Sequence, residues 1–340
     1  MTTAVSIIIP AFNRIAPLRH TLRSAAAALL ACPQPSEIIV VDDGSTPPLQ
    51  EQLAGFDAGW PVRILRQHNQ GSIIARLTGL AASQGEWILF LDSDDLVPAE
   101  KFTAQLSAST TACDVIYADM ASASLASDGS IQFFAAEKLP LTTDPAELFL
   151  TIQPAPHNPI YRRSLLLAAL GTPMVPAERS FDAAGDVWLY YNLCAKPTRI
   201  GKVDVPLSAS GVHSEDRYSL QWEKLGAAAL SIMESFAARC PVSDATRSAR
   251  ITMGERAFHS WRGLPRDFNP DFSRRMLALW KNAPRGPLAR LGGPWFQKLA
   301  RLIGPQNAGR LLRLRNSPYQ RVRTLNDEAY AQLFNAPCRS

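Results

Sequence analysis

The sequence of residues 1–216 predicts an α/β fold, in which a mostly parallel sheet is flanked by helices on both faces. Continuous apolar runs rich in β-branched residues recur here, as in strands that are buried on both faces. Helical patterns separate these runs, and polar turn clusters close them. Residues 217–340 are rich in Ala, Leu and Arg, which predicts a basic, helical C-terminal region.

The predicted strands and helices alternate along the chain. A strand over 4–10 leads into a helix that Asn13 would cap, with Leu18, Leu22 and Leu29 on its apolar face. The further predicted strands are 37–41, 62–65, 86–91 and 113–120, then 130–134 as a hairpin partner, and a final strand and loop over 205–216. The further predicted helices are 48–55, 72–83 and 183–196. This alternation favours a parallel sheet.

The composition is that of a globular protein with a hydrophobic core, since 46% of the 340 residues are hydrophobic and 19% are charged. No apolar run approaches the ~20 residues that span a bilayer, and the N-terminus lacks the basic region of a signal peptide. The five cysteines are scattered without a C-x-x-C pair, which argues against a zinc site or a disulfide framework. We therefore expect a cytoplasmic protein.

Candidate ligand-binding residues follow three of the predicted strands. The first strand ends at Pro10, Ala11 and Phe12, the second runs into Asp43, and the fourth runs into 92–95. In open α/β sheets, ligands bind beyond the carboxyl ends of the strands. We therefore expect these residues to gather where the fold binds its ligand.

The run Asp92-Ser93-Asp94-Asp95 places three carboxylates in four positions, where they repel one another. A bound Mg²⁺ or Mn²⁺ would relieve this repulsion, because hard divalent cations favour carboxylate oxygens. Alternatively, Asp94 or Asp95 caps a helix that starts near Pro98. The motif alone leaves both interpretations open.

Four further residues each allow a ligand-binding and a structural interpretation. Asp43 can accept a hydrogen bond from a ribose or a base, or it can shape a tight turn. Arg76 lies in the first turns of a predicted helix, which suits phosphate, or it is a solvated surface residue. Asp186 starts a helix, either as a favourable N-terminal charge or as a general base. His213 is a ligand, a phosphate contact or a structural histidine.

In their order and spacing, these segments resemble the family 2 glycosyltransferases, which have the GT-A fold. The matching segments are VSIIIPAFNR, EIIVVDDGSTP, NQGSIIARLTGLAASQGEWILFLDSDD, NPIYRRSLL, GDVWLYYNL and PLSASGVHSED, which cover roughly residues 4–216. A single D-x-D is weak, but the ordered set is specific. The resemblance implies a nucleotide-sugar donor, usually a UDP-sugar, and inversion at the anomeric carbon.

The resemblance also implies where the nucleotide lies. By residue-for-residue match, Pro10, Ala11, Phe12 and Asp43 would border the base and the ribose. Arg76 would lie near the nucleotide or its diphosphate.

The same resemblance implies the metal and the catalytic base. Asp94 of the D-x-D would bind Mn²⁺ or Mg²⁺, while Asp92 and Ser93 would lie on the donor side. His213 matches a late histidine that in some members meets the metal or the diphosphate. Asp186 matches the usual catalytic base.

Two positions depart from the family pattern. Family members often carry Ala-Arg-Asn, whereas Leu77 follows Ala75 and Arg76 here, and Gly185 replaces the Glu of the usual Glu-Asp pair before Asp186. The missing acid keeps open a second hypothesis, a non-catalytic nucleotide-sugar-binding protein. A sugar nucleotidylyltransferase is disfavoured, because no Gly-rich loop with Arg and Lys follows the first strand.

The C-terminal region is basic, with twelve Lys or Arg and no Asp or Glu in residues 272–326. The helical pattern of 293–304 predicts one apolar face, made of Trp295, Phe296, Leu299, Leu302 and Ile303, with Lys298 and Arg301 on the other side. Residues 272–323 would contact the inner face of a membrane and bring the enzyme to a lipid-linked acceptor. Alternatively, the apolar stripe packs on the catalytic domain. No motif indicates nucleic-acid binding, and the expected setting is bacterial surface-polysaccharide synthesis, with a glycan or lipid-linked acceptor.

Overall fold

The structure, a computed structural model, describes residues 4–32, 34–108, 113–125, 131–210 and 221–334. Within these ranges eight strands form one mixed, mostly parallel sheet. The strands are β1 (Val5–Ala11), β2 (Ser36–Asp42), β3 (Val62–Arg66), β4 (Trp87–Phe90), β5 (Val115–Leu125), β6 (Ile131–Glu137), β7 (Ile160–Arg162) and β8 (Ile200–Ser210). Their order is β3-β2-β1-β4-β7-β5-β6, and β8 pairs with β5. The predicted α/β fold is confirmed.

The strands β1 to β4 run parallel, and β8 runs parallel to β5. The short strand β7 runs antiparallel to β4 and to β5, and β6 forms the predicted antiparallel hairpin partner of β5. The parallel half of the sheet therefore carries the predicted ligand-binding edge.

The described helices lie on both faces of the sheet and continue into a C-terminal helical region. They are α1 (Ile15–Leu30), α2 (Leu49–Gln52), α3 (Ser72–Ala82), α4 (Lys101–Ser107), α5 (Pro145–Glu147), α6 (Arg163–Leu170), α7 (Gly185–Leu193), α8 (Trp222–Arg239), α9 (Asp244–Gly263), α10 (Pro270–Asn282), α11 (Pro294–Ile303), α12 (Pro305–Arg313), α13 (Tyr319–Val322) and α14 (Asp327–Phe334). A π-helix spans Leu148–Ile152, and 3₁₀ helices span Arg179–Ala184 and Leu288–Leu291.

The strand β1 is continuously apolar because it is buried between two layers. Ile7 and Ile9 belong to the same apolar cluster as Leu22 of α1. Ile8 faces the opposite layer, where α3 lies so close that a Cβ at Gly79 would be 2.3 Å from the Ile8 Cγ2. All seven β1 residues are buried, as two-sided packing requires.

The predicted N-cap of α1 is wrong. The helix is preceded by Arg14, whose side chain makes no capping hydrogen bond. Asn13 instead adopts a φ of 52°, which asparagine tolerates better than most residues. Its Oδ1 accepts a hydrogen bond from the Thr46 N–H at 2.9 Å, so Asn13 ties the loop after β1 to the turn after β2.

The C-terminal helices pack on the sheet domain through one apolar cluster. Tyr191 of α7 meets Phe236 of α8 with ring centroids 5.1 Å apart. The predicted division between residues 1–216 and 217–340 falls where residues 211–220 lie outside the described ranges, and it stays a prediction. None of the described helices is long and apolar enough to cross a membrane.

The helix α11 has the predicted apolar face, but only part of that face packs on the protein. Phe296 and Ala300 are buried, whereas Trp295 and Leu302 are among the most exposed large apolar residues of the described chain. At ~100° per residue the five apolar residues fall within an arc of about 120°, the width of an ordinary apolar stripe. Phe296 lies at the buried edge of this stripe, and Trp295 and Leu302 lie at its exposed edge.

Candidate active site

The carboxyl ends of three parallel strands meet at one edge of the sheet, because β1 lies between β2 and β4. The Asp43 N–H donates to the Ala11 carbonyl at 2.9 Å, which joins the ends of β1 and β2. Pro10 and Ala11 are buried, whereas Phe12 is 44% exposed. Among the three residues predicted to border the base, only Phe12 offers its side chain to a ligand.

The Asp43 carboxylate organises the loop 67–71. It is buried and accepts hydrogen bonds from the Gln70 N–H at 2.9 Å, the Gly71 N–H at 2.8 Å and the Gln67 side-chain amide at 2.7 Å. Backbone N–H groups of this loop are thereby fixed at the sheet edge. A contact between Asp43 and a nucleotide stays a prediction.

The start of α3 is held by Asp182, a residue that the sequence reasoning missed. Its Oδ1 accepts hydrogen bonds from the Ile73 N–H at 3.1 Å and the Ser72 hydroxyl at 3.2 Å. A Cβ at Gly71 would lie 1.6 Å from the Asp182 Oδ2, and Gly71 has a φ of 95°. Asp182 therefore occupies the space that only a glycine leaves free.

Arg76 joins two of the predicted acids. Its Nη2 lies 2.7 Å from the Asp92 Oδ1, and its Nη1 lies 2.9 Å from the Asp186 Oδ1. The side chain is only 6% exposed, which excludes the interpretation of Arg76 as a solvated surface residue. Burial opposes the charge, yet Asp92 and Asp186 hold the pKa of Arg76 above its usual value. The guanidinium is therefore a permanent cation at the centre of the site.

Asp186 lies in the first turn of α7, where the helix dipole favours a negative charge. Its side chain is half-buried, so a ligand or solvent can reach it. Burial raises the pKa of Asp186, Arg76 opposes this rise, and Asp92 adds to it. A carboxylate with a raised pKa and an open side is suited to take a proton.

Asp94 contacts a second arginine, which the sequence reasoning did not identify. The Arg14 Nη1 lies 2.7 Å from the Asp94 Oδ2. Burial and the neighbouring Asp95 raise the pKa of Asp94, while Arg14 lowers it. Arg14 and Arg76 therefore compensate part of the negative charge that a cation was expected to balance.

The donor atoms of this loop fit a hard divalent cation. Asp94 and Asp92 offer partly exposed carboxylate oxygens, and the repulsion that raises the pKa of Asp94 would be relieved by a cation. The described residues include no group of three or more His, Cys, Asp or Glu placed to hold a metal. The protein would thus supply one or two ligands and a phosphate the others, while His213, the other predicted ligand, lies outside the described residues.

The alternative that Asp94 or Asp95 caps a helix near Pro98 is wrong. The helix α4 starts at Lys101, and the residue before it is Glu100. The Asp95 Oδ2 instead lies 2.8 Å from the Nδ1 of His157. His157 is completely buried, so Asp95 turns inward, away from the predicted donor side.

Two further side chains near the acidic loop are buried. Ser93 lies in the loop itself, and Lys101, the first residue of α4, is completely buried. The Lys101 Nζ donates to the carbonyl oxygens of Asn158 at 2.8 Å and Leu207 at 3.2 Å, with no carboxylate among its described partners. The Asn158 amide in turn donates to the Ser208 hydroxyl at 2.8 Å. Lys101 thereby fastens α4, which follows the acidic loop, to the loop before β7 and to β8.

Lys101 is expected to make stability rise with pH. Burial lowers its pKa to about 7, whereas an unfolded lysine titrates near ~10.4. Between these pH values the unfolded chain binds a proton at Lys101 that the folded protein does not bind. The free energy of unfolding of wild type should therefore rise by up to roughly 4 kcal/mol relative to that of Lys101→Met as the pH rises. Urea unfolding of both proteins at pH 7 to 10 checks this, with Lys224→Met as the control. A wild-type advantage independent of pH would show that Lys101 is charged in the fold.

The aromatic residues of α7 belong to the core. Trp188, Tyr190 and Tyr191 are each about 2% exposed. The Trp188 Nε1 donates to the Val175 carbonyl at 2.8 Å. These rings therefore anchor the helix that carries Asp186 and are not free to stack on a sugar.

Comparisons with known proteins find a matching family model and similar sequences. The family model Glycosyl transferase family 2 matches residues 6–166. The undecaprenyl-phosphate 4-deoxy-4-formamido-L-arabinose transferase of Pseudomonas aeruginosa is 32% identical over 115 residues, which are 33% of this chain and 34% of that protein. An uncharacterized glycosyltransferase of Rickettsia felis is 35% identical over 104 residues, which are 31% of this chain and 17% of that protein. The match thus spans about a third or less of these relatives' own length.

Solved structures match over almost the whole chain. S. aureus TarS 1-349 has a TM-score of 0.61 at 19% identity, covering 95% of this chain and 93% of that one. A mannosyltransferase of Pyrobaculum calidifontis, in complex with GDP-Man and Mn²⁺, has a TM-score of 0.53 at 14% identity, covering 99% and 89%. At these identities the likeness establishes the fold. Residues 6–166 thus match the model of glycosyl transferase family 2, and the fold of the chain is that of the GT-A glycosyltransferases.

Proposed function

We propose that this chain transfers a sugar from a nucleotide-sugar donor, a UDP-sugar, to a hydroxyl of a glycan or lipid-linked acceptor, with inversion. One observation carries the proposal: a single buried guanidinium, Arg76, holds Asp92 at the end of β4 and Asp186 at the start of α7. The predicted donor acid and the predicted base thus face one another at the ligand-binding edge of the sheet.

Two similar proteins support the choice of donor and acceptor. S. aureus TarS 1-349 in complex with UDP-GlcNAc matches with a TM-score of 0.63. The P. aeruginosa relative is named as an undecaprenyl-phosphate sugar transferase, which supports a lipid in the acceptor, although that lipid accepts through a phosphate oxygen and not through a hydroxyl. A role in surface-polysaccharide synthesis is part of the same proposal.

In the proposed reaction the acceptor oxygen attacks the anomeric carbon from the side opposite the nucleoside diphosphate. The bond from that carbon to the diphosphate oxygen breaks, and the electron pair leaves with the diphosphate. Asp186 takes the acceptor proton, for which its raised pKa and half-exposed side chain suit it. A single displacement inverts the configuration, and the protein's contribution is mainly positioning and charge stabilisation.

Asp94 would hold the divalent cation, and Asp92 would lie near the ribose or the donor sugar. Bound there, Mn²⁺ or Mg²⁺ would supply Lewis-acid neutralisation of charge on the departing diphosphate. Arg14 contacts only the Oδ2 of Asp94, so the Oδ1 would be left for the cation.

The missing acid before Asp186 favours the rival hypothesis of a non-catalytic binding protein. A Cβ at Gly185 would lie 3.4 Å from the Arg76 Nη1. The acid that family members usually carry would therefore point towards the arginine that Asp92 and Asp186 share. Asp186 and the arginine that contacts it, Arg76, are both present, which supports catalysis over binding alone.

A nucleotide-sugar screen tests the proposal. We expect UDP release from one UDP-sugar with Mn²⁺ or Mg²⁺ that an acceptor accelerates, and binding without turnover of any donor would establish the rival hypothesis. Asp94→Asn should weaken metal-dependent UDP binding at least about ten-fold in calorimetric titration. Asp95→Asn, the adjacent acid that contacts His157, is the matched control. Unchanged curves for Asp94→Asn with Mn²⁺ would remove Asp94 from the metal site.

A further inference from the structure

The helices α11 and α12 lie side by side on α9. The rings of Phe296 in α11 and Phe258 in α9 are 5.9 Å apart. A Cβ at Gly309 of α12 would lie 2.5 Å from the Trp261 ring and 3.2 Å from the Phe258 ring. Since both inner faces meet the same part of α9, both outer faces point away from the rest of the described protein.

These outer faces expose large apolar side chains. Trp295 is 79% exposed and Leu302, two helical turns later, is 81% exposed. Leu311 and Leu314, one turn apart at the end of α12, are 49% and 64% exposed. We call the exposed residues of 295–315 the α11–α12 surface.

The α11–α12 surface also carries unpaired positive charge. Lys298, Arg301, Arg310 and Arg315 are exposed, and none forms an ion pair with a carboxylate of the described residues. Residues 272–326 contain no Asp or Glu at all. Cations next to exposed Trp and Leu are the composition of helices that lie in the interface of an anionic membrane.

A cavity of about 640 Å³ opens at the junction of the two helices. Lys281 and Arg285 line it together with Leu288, Leu291 and Ile303. The Arg285 guanidinium lies 4.1 Å from the centroid of the Trp280 ring. The cavity therefore combines two cations with apolar walls, as the α11–α12 surface does.

We propose that the α11–α12 surface docks on an anionic lipid bilayer. A nucleic acid would match the charge but would leave Trp295 and Leu302 without an apolar partner. A protein partner would need carboxylates matched to four separate cations as well as an apolar patch, whereas an anionic bilayer presents its charge along the whole surface. A bilayer satisfies both features, since its headgroups attract the cations and its acyl boundary takes the apolar side chains.

Vesicle co-sedimentation of the full chain tests the proposal. We expect binding to vesicles of phosphatidylcholine with phosphatidylglycerol, lost at high salt, and little binding to phosphatidylcholine alone. Each basic residue contributes roughly five-fold to partitioning, so Lys298→Glu with Arg301→Glu should lower it at least about 25-fold. Trp295→Ser with Leu302→Ser should also lower binding. Arg247→Glu and Leu141→Ser, which change exposed residues elsewhere, are the matched controls.

Three outcomes would overturn the proposal. The first is equal binding to neutral and to anionic vesicles. The second is a loss of vesicle binding in both control variants as large as that in the test variants. The third is that the protein binds no vesicles but forms a dimer, which the double substitution Trp295→Ser with Leu302→Ser dissociates. The last would assign the surface to a second copy of this chain. All substituted side chains are exposed, so circular dichroism should report an unchanged fold. The readout involves neither donor nor acceptor, so the proposed transfer reaction stands or falls separately.

Discussion

Asp186→Asn is expected to lower the rate of sugar transfer by about 10²–10⁴-fold while UDP and metal binding are retained. Asparagine keeps an oxygen where the Arg76 Nη1 donates at 2.9 Å, so the arrangement around Arg76 should survive. What is lost is the ability to take a proton. Steady-state transfer and calorimetric UDP titration, performed on the same preparations, separate the two effects.

The pH profile gives an independent readout for Asp186. Its pKa is raised above the ordinary aspartate value, so wild-type activity should fall as the pH falls through that raised pKa. Asp186→Asn should lack this acidic limb. Asp182→Asn, four residues earlier, should keep the limb and change activity by less than about ten-fold, because Asp182 positions α3 and takes no proton. Near-normal transfer by Asp186→Asn would assign the base elsewhere.

Gly71→Ala is expected to be the most disruptive single-methyl change near the site. The added Cβ would lie 1.6 Å from the Asp182 Oδ2, and the φ of 95° disfavours any side chain. Displacing Asp182 would free the Ile73 N–H and disturb the Gly71 N–H bond to Asp43. We expect a loss of about 2–4 kcal/mol in the free energy of unfolding, together with weakened UDP binding.

Gly59→Ala is the matched control for Gly71→Ala. Gly59 has a φ of 82°, but a Cβ there would meet nothing within 4 Å. The Gly59→Ala variant should lose about 1–2 kcal/mol in the free energy of unfolding, from backbone strain alone. Urea unfolding of both variants gives the difference, which measures the contact with Asp182. Equal losses in the two variants would mean that Asp182 moves aside at no cost in the free energy of unfolding.

The sequence was sufficient to predict the sheet and which strand ends meet at one of its edges. Continuous apolar runs such as Val5–Ala11 have a physical cause, packing on two faces, that leaves a readable pattern. Parallel strands then bring their carboxyl ends together wherever they lie along the chain. This is why Phe12, Asp43 and Asp92 could be grouped before the structure was known.

The pairings inside the site could not be predicted in the same way. Arg76 and Asp186 are 110 positions apart, as are Ser72 and Asp182. Charge alone did not indicate which acid Arg76 would meet or that Arg14 would reach Asp94. Likewise, the position of Asp95 shortly before Pro98 is typical of a helix cap. Because α4 starts only at Lys101, Asp95 contacts His157 instead. Local patterns carry no record of such distant partners.

The two arginines change what donor binding requires of this site. Taking carboxylates out of water is unfavourable unless a partner compensates them. Here Arg14 and Arg76 already compensate part of the charge of Asp94, Asp92 and Asp186, whose side chains stay 22%, 34% and 44% exposed. The cation and the diphosphate of the proposed donor would therefore complete a charge balance that folding has begun. In that proposal the two guanidinium groups would lie close enough to meet the diphosphate.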